Sequence, residues 1–309
     1  MPVLRHRPEG AAGVLPDIDS IALFVKAAEL GSLTRAAEAS SMGLAAASRR
    51  ISLLEHRMRC TLFERLPKGV QLTPAGLTLL LHSKQLLVQL NQMQVDIEDH
   101  NNGRRGQLRV FANTSAMAQH LPADLARFTV SDPGLRFIVK ERWSSEIVDA
   151  VLLGEADIGV VIGGVPTRGL DCVPYRCDRL AAVVPRGHPL DAPGEVAFTE
   201  VLDYDLVALE HGSSLMVLLS DSASLAEKPL KLRTQVRGFE AVCRMVEAGL
   251  GVGVLPGHAA LPYLQGMELG VRMLADPWAR RQMLICTRPD RSRSMPVARM
   301  VAALAGWND

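Results

Sequence analysis

Aromatic residues make up only 4% of this 309-residue chain, and their scarcity excludes one class of partner. Proteins that hold single-stranded nucleic acid stack bases on aromatic rings, and too few rings are present for that. Cysteine is also sparse: Cys60, Cys172, Cys177, Cys243 and Cys286 are scattered and odd in number. Such usage argues against a disulfide framework and suits reduced thiols in a cytoplasm. No run of about eighteen apolar residues occurs, so no membrane span is expected. Charge of one sign is lacking too: 34 Lys and Arg face 33 Asp and Glu, for a net charge of +1. Bulk electrostatics therefore gives no argument for an acidic partner. The first sixteen residues, with Arg5, Arg7 and three prolines, have no apolar signal-peptide core and read as a disordered arm. There is no Walker-type loop, metal-spaced His/Cys cluster or nucleophile elbow. Gly249-x-Gly251-x-Gly253 falls between a helix and a strand instead of opening a helix, so it is not a dinucleotide fingerprint. No cofactor, metal or enzymatic activity is expected. His188 fits a turn and His82 a solvated or interface helix position.

What is present is concentrated between residues 17 and 75. Ile21, Phe24, Val25, Ala28 and Leu30 recur at helical spacing until Gly31 breaks the pattern. Ser32 or Thr34 can then cap a short second helix with Ala36, Ala37 and Ala39 inward. After a corner at Ser40-Ser41-Met42-Gly43, a third helix carries Ser48, Arg49 and Arg50 on one side and Ile51, Leu54 and Met58 on the other. Small alanines let helices cross closely, and a following helix rich in hydroxyl and guanidinium groups suits the major groove of double-stranded DNA. Local charge agrees: Arg49, Arg50, Arg57, Arg59, Arg65 and Lys68 meet only Glu55 and Glu64 in that interval. Charges alone would fit a solvated face equally well; the helix-turn-helix pattern favours phosphate binding.

Phe24-Val25-x-x-Ala28-Glu29-x-Gly31-Ser32-Leu33-Thr34-Arg35-Ala36-Ala37-Glu38 resembles the opening of the LysR-type transcriptional regulators. Ser48-Arg49-Arg50-Ile51, Leu54-Glu55, Leu62-Phe63-Glu64-Arg65 and Gly69-Val70-Gln71-Leu72-Thr73-Pro74-Ala75-Gly76 follow in that family's order and spacing. Gly43, Leu44 and Ala45 depart from the Ser, Gln and Pro usual at the start of the recognition helix. The resemblance implies a winged helix-turn-helix over 17–75, a linker helix and hinge over 76–105, and an effector-binding domain over 106–309. Thr34 and Arg35 would hold the DNA backbone. Leu44, Ser48, Arg49 and Arg50 would enter the groove, and Arg65 and Lys68 would form the wing contacts.

From Pro74 to about Asn102, Leu77, Leu80, Leu81, Leu87, Leu90, Met93 and Ile97 lie along one broad helical stripe. The resemblance makes this the helix that pairs with a second copy, in a homodimer and then a homotetramer. Asn101-Asn102-Gly103-Arg104-Arg105-Gly106 marks the hinge. Strands and helices then alternate: strands at 108–112, 137–139 and 158–162, helices at 117–130 and 146–153, with a second set from 180 to 255. A late strand at 283–286 and a helix at 296–304 return to the first set. This spacing predicts α/β lobes with parallel strands. The resemblance implies two periplasmic-binding-protein-like lobes, lobe I being 106–178 with 283–309 and lobe II being 179–282.

Helix N-termini that follow strands collect anions. Such junctions fall at Thr114 and Ser115; at Trp143, Ser144 and Ser145; at Gly163 and Gly164; and at His211, Gly212 and Ser213. Gly253 and Val254 follow a glycine turn. These residues are expected to line a cleft for a small organic acid or aromatic effector. Each hydroxyl taken singly also reads as a plain helix cap, and Trp143 as a core or interface residue. Some relatives by resemblance sense oxidants, which makes Cys172 and Cys177 a weak candidate redox pair; two neighbouring strand positions is the plainer reading. The chain is expected to be a cytoplasmic regulator whose DNA contacts are biased by ligand. A solute-binding protein or an enzyme on the α/β lobes remains the alternative. Effector, operator and sign of regulation are not readable.

Overall fold

A computed structural model describes residues 15–101, 107–290 and 295–306. Nearly all of the expected N-terminal arm, and the hinge beyond Asn101, lie outside the described residues. The chain divides into two compact units, Met1–Val95 and Asp96–Asp309, and the division falls inside the long helix rather than at its end.

In the first unit, α1 (Ile18–Leu30) starts where the Asp17 carboxylate accepts hydrogen bonds from Ser20 N at 2.9 Å and Ser20 Oγ at 2.8 Å. It stops at Gly31, whose left-handed φ of 60° suits glycine. Ser32, not Thr34, caps α2 (Leu33–Ala39), accepting from Arg35 N at 3.3 Å. Ala36 and Ala37 are buried, but Ala39 is exposed, because it lies about 200° round the helix from Ala37. α3 (Leu44–Met58) buries Ala47, Ile51 and Leu54 against them. The strands β1 (Phe63–Leu66) and β2 (Gly69–Leu72) form an antiparallel wing. The Glu55 carboxylate, accepting from Leu62 N at 2.8 Å and Phe63 N at 3.2 Å, ties that wing to α3. A side chain at Gly69 would strike the Gly31 carbonyl, which accepts Val70 N at 3.1 Å. Phe24 and Phe63 meet in the core with ring centroids 5.1 Å apart.

α4 (Pro74–Asn101) has 28 residues, about 42 Å of helix. Its expected single stripe splits. Leu80 and Leu87, with Leu79, pack on the core of the first unit. Leu77, Leu81, Met93 and Ile97, with Leu86, stay exposed.

The second unit begins with β3 (Gln107–Ala112), α5 (Thr114–Gln119), α6 (Leu121–Ser131), β4 (Arg136–Glu141), α7 (Ser144–Leu153) and β5 (Ile158–Ile162). β3 pairs in parallel with both β4 and β5. The single helix expected over 117–130 is two, broken at His120 because Pro122 in the first turn of α6 has no N–H to continue the ladder. β6 (Asp171–Pro185) is one strand of 15 residues that runs from the first lobe into the second. The second lobe holds α8 (Phe198–Val201), β7 (Leu206–Leu209), α9 (Ser214–Leu225), β8 (Leu232–Val236), α10 (Phe239–Glu247), β9 (Val252–Pro256), α11 (Gly257–Ala260) and β10 (Leu269–Met273). β11 (Arg280–Thr287) returns, and α12 (Met295–Gly306) closes the first lobe.

β7 pairs in parallel with β8 and β9, as the alternation predicts. The linking strands do not follow that prediction. β6 and β11 are antiparallel to each other, β11 is antiparallel to β5, and β6 to β9 and β10. β10 gave no sequence signal of its own. Each lobe has its own core. Leu180, Phe198, Leu206, Leu219 and Phe239 mark the second, while Val110, Ile158, Tyr175, Met283 and Met300 mark the first.

Candidate functional site

Two surfaces carry the expected residues. In the first unit, the start of α3 is open: Leu44, Ala45 and Arg49 are exposed and Ser48 is half-buried. Arg65 on β1 donates to Ser48 Oγ at 3.4 Å, so the wing strand stands beside the recognition helix. Lys68 is exposed in the wing turn, and Thr34 is exposed at the start of α2. Arg35 turns its guanidinium back to the Leu30 carbonyl. Arg50 does not join Ser48 and Arg49. It reaches Asp19 at 3.3 Å and Asp17 at 4.0 Å, and Arg57 reaches Asp17 at 3.6 Å. Those carboxylates at the start of α1 neutralise one side of α3 and leave Arg49, Arg65 and Lys68 as the cations of the open side.

In the second unit, α5, α7 and α9 start at the interlobe cleft. Asn113 Oδ1 caps α5 at Ala116 N, 2.8 Å away, and its amide donates to Ser144 Oγ at 3.4 Å. Ser144 Oγ also accepts from Ile162 N at 3.3 Å. Thr114 donates to Glu141 at 2.6 Å, and Ser213 caps α9 at Leu215 N, 3.2 Å away. These hydroxyls thus have internal partners. Thr114, Ser115, Trp143 and Ser144 of the first lobe face Ser213 and Leu215 of the second across a gap of ≈10 Å³, room for about one water.

The Trp143 indole closes this gap. It packs on the core of the second lobe, over Gly212, where a methyl group would meet its Cδ1 at 3.2 Å. Gly212 also has a φ of 100°, which disfavours any other residue. Open volume lies on the flanks. A cavity of ≈590 Å³ is lined by Ser145, Gly163, Gly164, Gly212, Trp278 and Arg281, among others. A second, ≈560 Å³, is lined by Arg179, His258, Met273 and residues 280–282. A third, ≈340 Å³, lies at Thr114, Glu141, Trp143 and Arg237. All three have the size of small-molecule pockets.

Three expected residues are not brought there. Gly253 and Val254 are buried within β9, where α10 covers Gly253: an added Cβ would lie 2.7 Å from Val242 Cγ1. The strand runs on to Pro256, so its cleft end lies beyond them. His211 is exposed and lines none of these spaces.

The main feature unforeseen in the sequence is Arg281. It is only 8% exposed, donates to Asp178 at 2.8 and 2.5 Å, and donates to Ser115 Oγ at 3.2 Å. It links β11, β6 and the start of α5. Its signal was the Arg280-Arg281 pair, which falls outside a strand begun at Met283; β11 starts three residues earlier. Nearby, the His120 imidazole meets His258 of the second lobe edge-on at 6.4 Å. Burial, then the Arg176 cation, hold His120 below the ordinary imidazole pKa. Among the described residues no metal-binding cluster occurs, and no helix is long and apolar enough to cross a membrane.

Residues 18–77 match the bacterial regulatory helix-turn-helix proteins of the lysR family, and residues 101–308 match the LysR substrate binding domain. The chain is a LysR-type transcriptional regulator. Its curated relatives include the uncharacterized HTH-type transcriptional regulator YbhD of Escherichia coli (strain K12), 29% identical over 95% of this chain and 92% of that protein. The transcriptional dual regulator GltC of Bacillus subtilis (strain 168) is 27% identical over 68% of this chain and 71% of its own. Among solved structures, CbnR, a LysR family transcriptional regulator, superposes with a TM-score of 0.68 over 93% of this chain and 98% of its own, at 18% identity. CbnR has also been solved with its target DNA. The regulatory domain of CcmR of Synechocystis PCC6803, in complex with 2-PG, gives a TM-score of 0.60 at 19% identity over 66% of the regulator and 100% of that domain. The regulator therefore has a helix-turn-helix DNA-binding part and a two-lobed effector-binding part.

Proposed function

We propose that the regulator reads promoter DNA with α3 and its wing, and that a small anionic or aromatic effector in the interlobe cleft biases that binding. The observation that carries the DNA assignment is the sorting of cations on α3. Arg50 and Arg57 are neutralised by Asp17 and Asp19, whereas Arg49 stays exposed next to Ser48, which Arg65 of the wing reaches, and Lys68 is exposed in the wing turn. Arg49 is assigned to the groove, Ser48 to a base edge or phosphate, and Arg65 and Lys68 to an adjacent phosphate or minor groove. Thr34 and Arg35 hold the backbone, and exposed Leu44 offers apolar contact. CbnR with its target DNA supports the docking mode.

For the effector, Ser145, Gly163, Gly164 and exposed Arg280 at the ≈590 Å³ cavity offer helix-start amides, backbone and positive charge, which favour a carboxylate, whereas the Arg281 charge is already neutralised by Asp178. The ligand must bind one lobe arrangement more tightly than another to shift anything. The exposed leucines of α4 support a homodimer through that helix, and the family's oligomers support a homotetramer in the cytoplasm. Two recognition helices would read half-sites about 10 bp apart or a multiple of that. No catalytic role is assigned.

Binding of operator and mixed-sequence DNA to the wild type and Arg49→Ala tests the reading. Loss of about 1–3 kcal/mol on operator with relaxed specificity is expected for a base contact, and a uniform loss with a shallower salt slope for a phosphate contact. Unchanged binding to both would remove α3 from the interface.

A further inference from the structure

We propose that Cys172 and Cys286 form a redox-modifiable dithiol that hydroperoxides convert to a cross-strand disulfide inside the first lobe. Cys172 on β6 stands directly opposite Cys286 on β11, and the two Sγ atoms are 2.9 Å apart. Opposed residues of antiparallel strands have Cα atoms about 4.5–5.5 Å apart. A disulfide accepts about 4.4–6.8 Å, so side-chain rotation alone brings the sulfurs to bonding distance. Cys177, the partner weighed from sequence, is excluded. It lies five residues along the same strand, beyond a bulge and about 16 Å away, and its thiol donates to Gln282 Oε1 at 3.1 Å.

The two sulfurs have unequal surroundings. Cys286 is fully buried among Phe111, Ile147, Val151 and Val161, while Cys172 is half-exposed at the edge of that cluster. Burial, then the contact with Cys172, push the Cys286 thiol well above the ordinary range. Cys172 is therefore the sulfur that meets the oxidant. It attacks one peroxide oxygen, the O–O bond breaks, and a sulfenic acid and one water result. Cys286 sulfur then attacks Cys172 Sγ, the S–O bond breaks, and the Cys286 proton leaves with the hydroxyl as a second water. Two thiols are oxidised by two electrons and one hydrogen peroxide is reduced to two waters. The product covalently joins the two strands that link the lobes.

The test is to treat the reduced, full-length regulator with hydrogen peroxide, block free thiols under denaturing conditions and map peptides without reductant. A linked Cys172–Cys286 peptide, reversible by dithiothreitol, is expected in the wild type and in Cys177→Ser, and is expected to be lost in Cys172→Ser. The oxidised regulator should also melt at a higher temperature, because the bond closes a long loop. A Cys172–Cys177 link would overturn the proposal. So would Cys172 carried to sulfinic acid with Cys286 still blocked, or both thiols left free at peroxide levels that oxidise exposed Cys60. The wild-type map decides the matter without relying on the fold of any variant.

Discussion

Replacing Arg281 by methionine keeps most of the stem but removes the cation between β11 and β6, which sharply tests what holds the cleft together. Three hydrogen bonds disappear: two to Asp178, at 2.8 and 2.5 Å, and one to Ser115 at 3.2 Å. Asp178, 7% exposed, is left with a long bond from Gln119 at 3.4 Å. Breaking a buried pair from one side costs about 3–5 kcal/mol, because the stranded charge cannot recover its hydration. In a unit of about 200 residues each kcal/mol moves the melting midpoint by about 2–4 °C, so a fall of roughly 6–20 °C is expected. Scanning calorimetry of the full chain should place that loss in the effector-binding transition and spare the DNA-binding one. The double change Arg281→Met with Asp178→Leu should recover most of the loss, since a buried pair is often replaceable by apolar residues. A single-variant loss below about 1 kcal/mol, or a double variant worse than the single, would refute the reasoning.

Three shorter predictions concern other parts of the chain. The folded His120 pKa lies below its unfolded value of about 6.5, chiefly through burial, so the unfolded chain takes up the proton first as pH falls. The stability present above pH 6.5 is then lost toward the folded pKa, and His188, lowered mainly by burial, adds the same sign. Urea unfolding at pH 7.5 and 5.5 should show a weaker pH dependence in His120→Gln; an unchanged one contradicts the assignment. Asp17→Ala removes the α1 cap and releases Arg57, while Arg50 keeps Asp19. It should cost about 1 kcal/mol in the DNA-binding unit and raise affinity for mixed-sequence DNA, which urea melts and filter binding would check. Leu81→Glu, on the exposed face of α4, should shift the regulator to a smaller species in sedimentation velocity; an unchanged oligomer would move the dimer contact elsewhere.

The DNA-binding unit was largely legible because its signals are local. Helical spacing gave Phe24 and Val25, Gly31 and Ser32 punctuate two helices, and Ile51 and Leu54 mark the inner face of α3. The pairing of Arg50 was invisible because its partners, Asp17 and Asp19, come from the start of another helix. In the effector-binding unit, the rule that helix starts follow strand ends points to Thr114, Ser115, Trp143, Ser144, Ser145, Gly212 and Ser213, at the starts of α5, α7 and α9, whereas Gly163 and Gly164 sit in a turn after β5 with no helix behind it. The glycine turn that precedes them points to Gly253 and Val254, which lie inside β9, short of its cleft end at Pro256. Arg281 with Asp178, and Cys172 with Cys286, depend on the register between two strands far apart in sequence, which no local pattern encodes. The break between α5 and α6 follows from Pro122, which the expectation of one helix over 117–130 leaves out of account.

The most direct test of the account is selection of fragmented genomic DNA by the purified full-length regulator, followed by sequencing and a salt titration of the best fragment. The account predicts a few enriched fragments upstream of genes, with affinity falling steeply as salt rises. No recovery at low salt by the folded protein, or uniform recovery without preference, would contradict it.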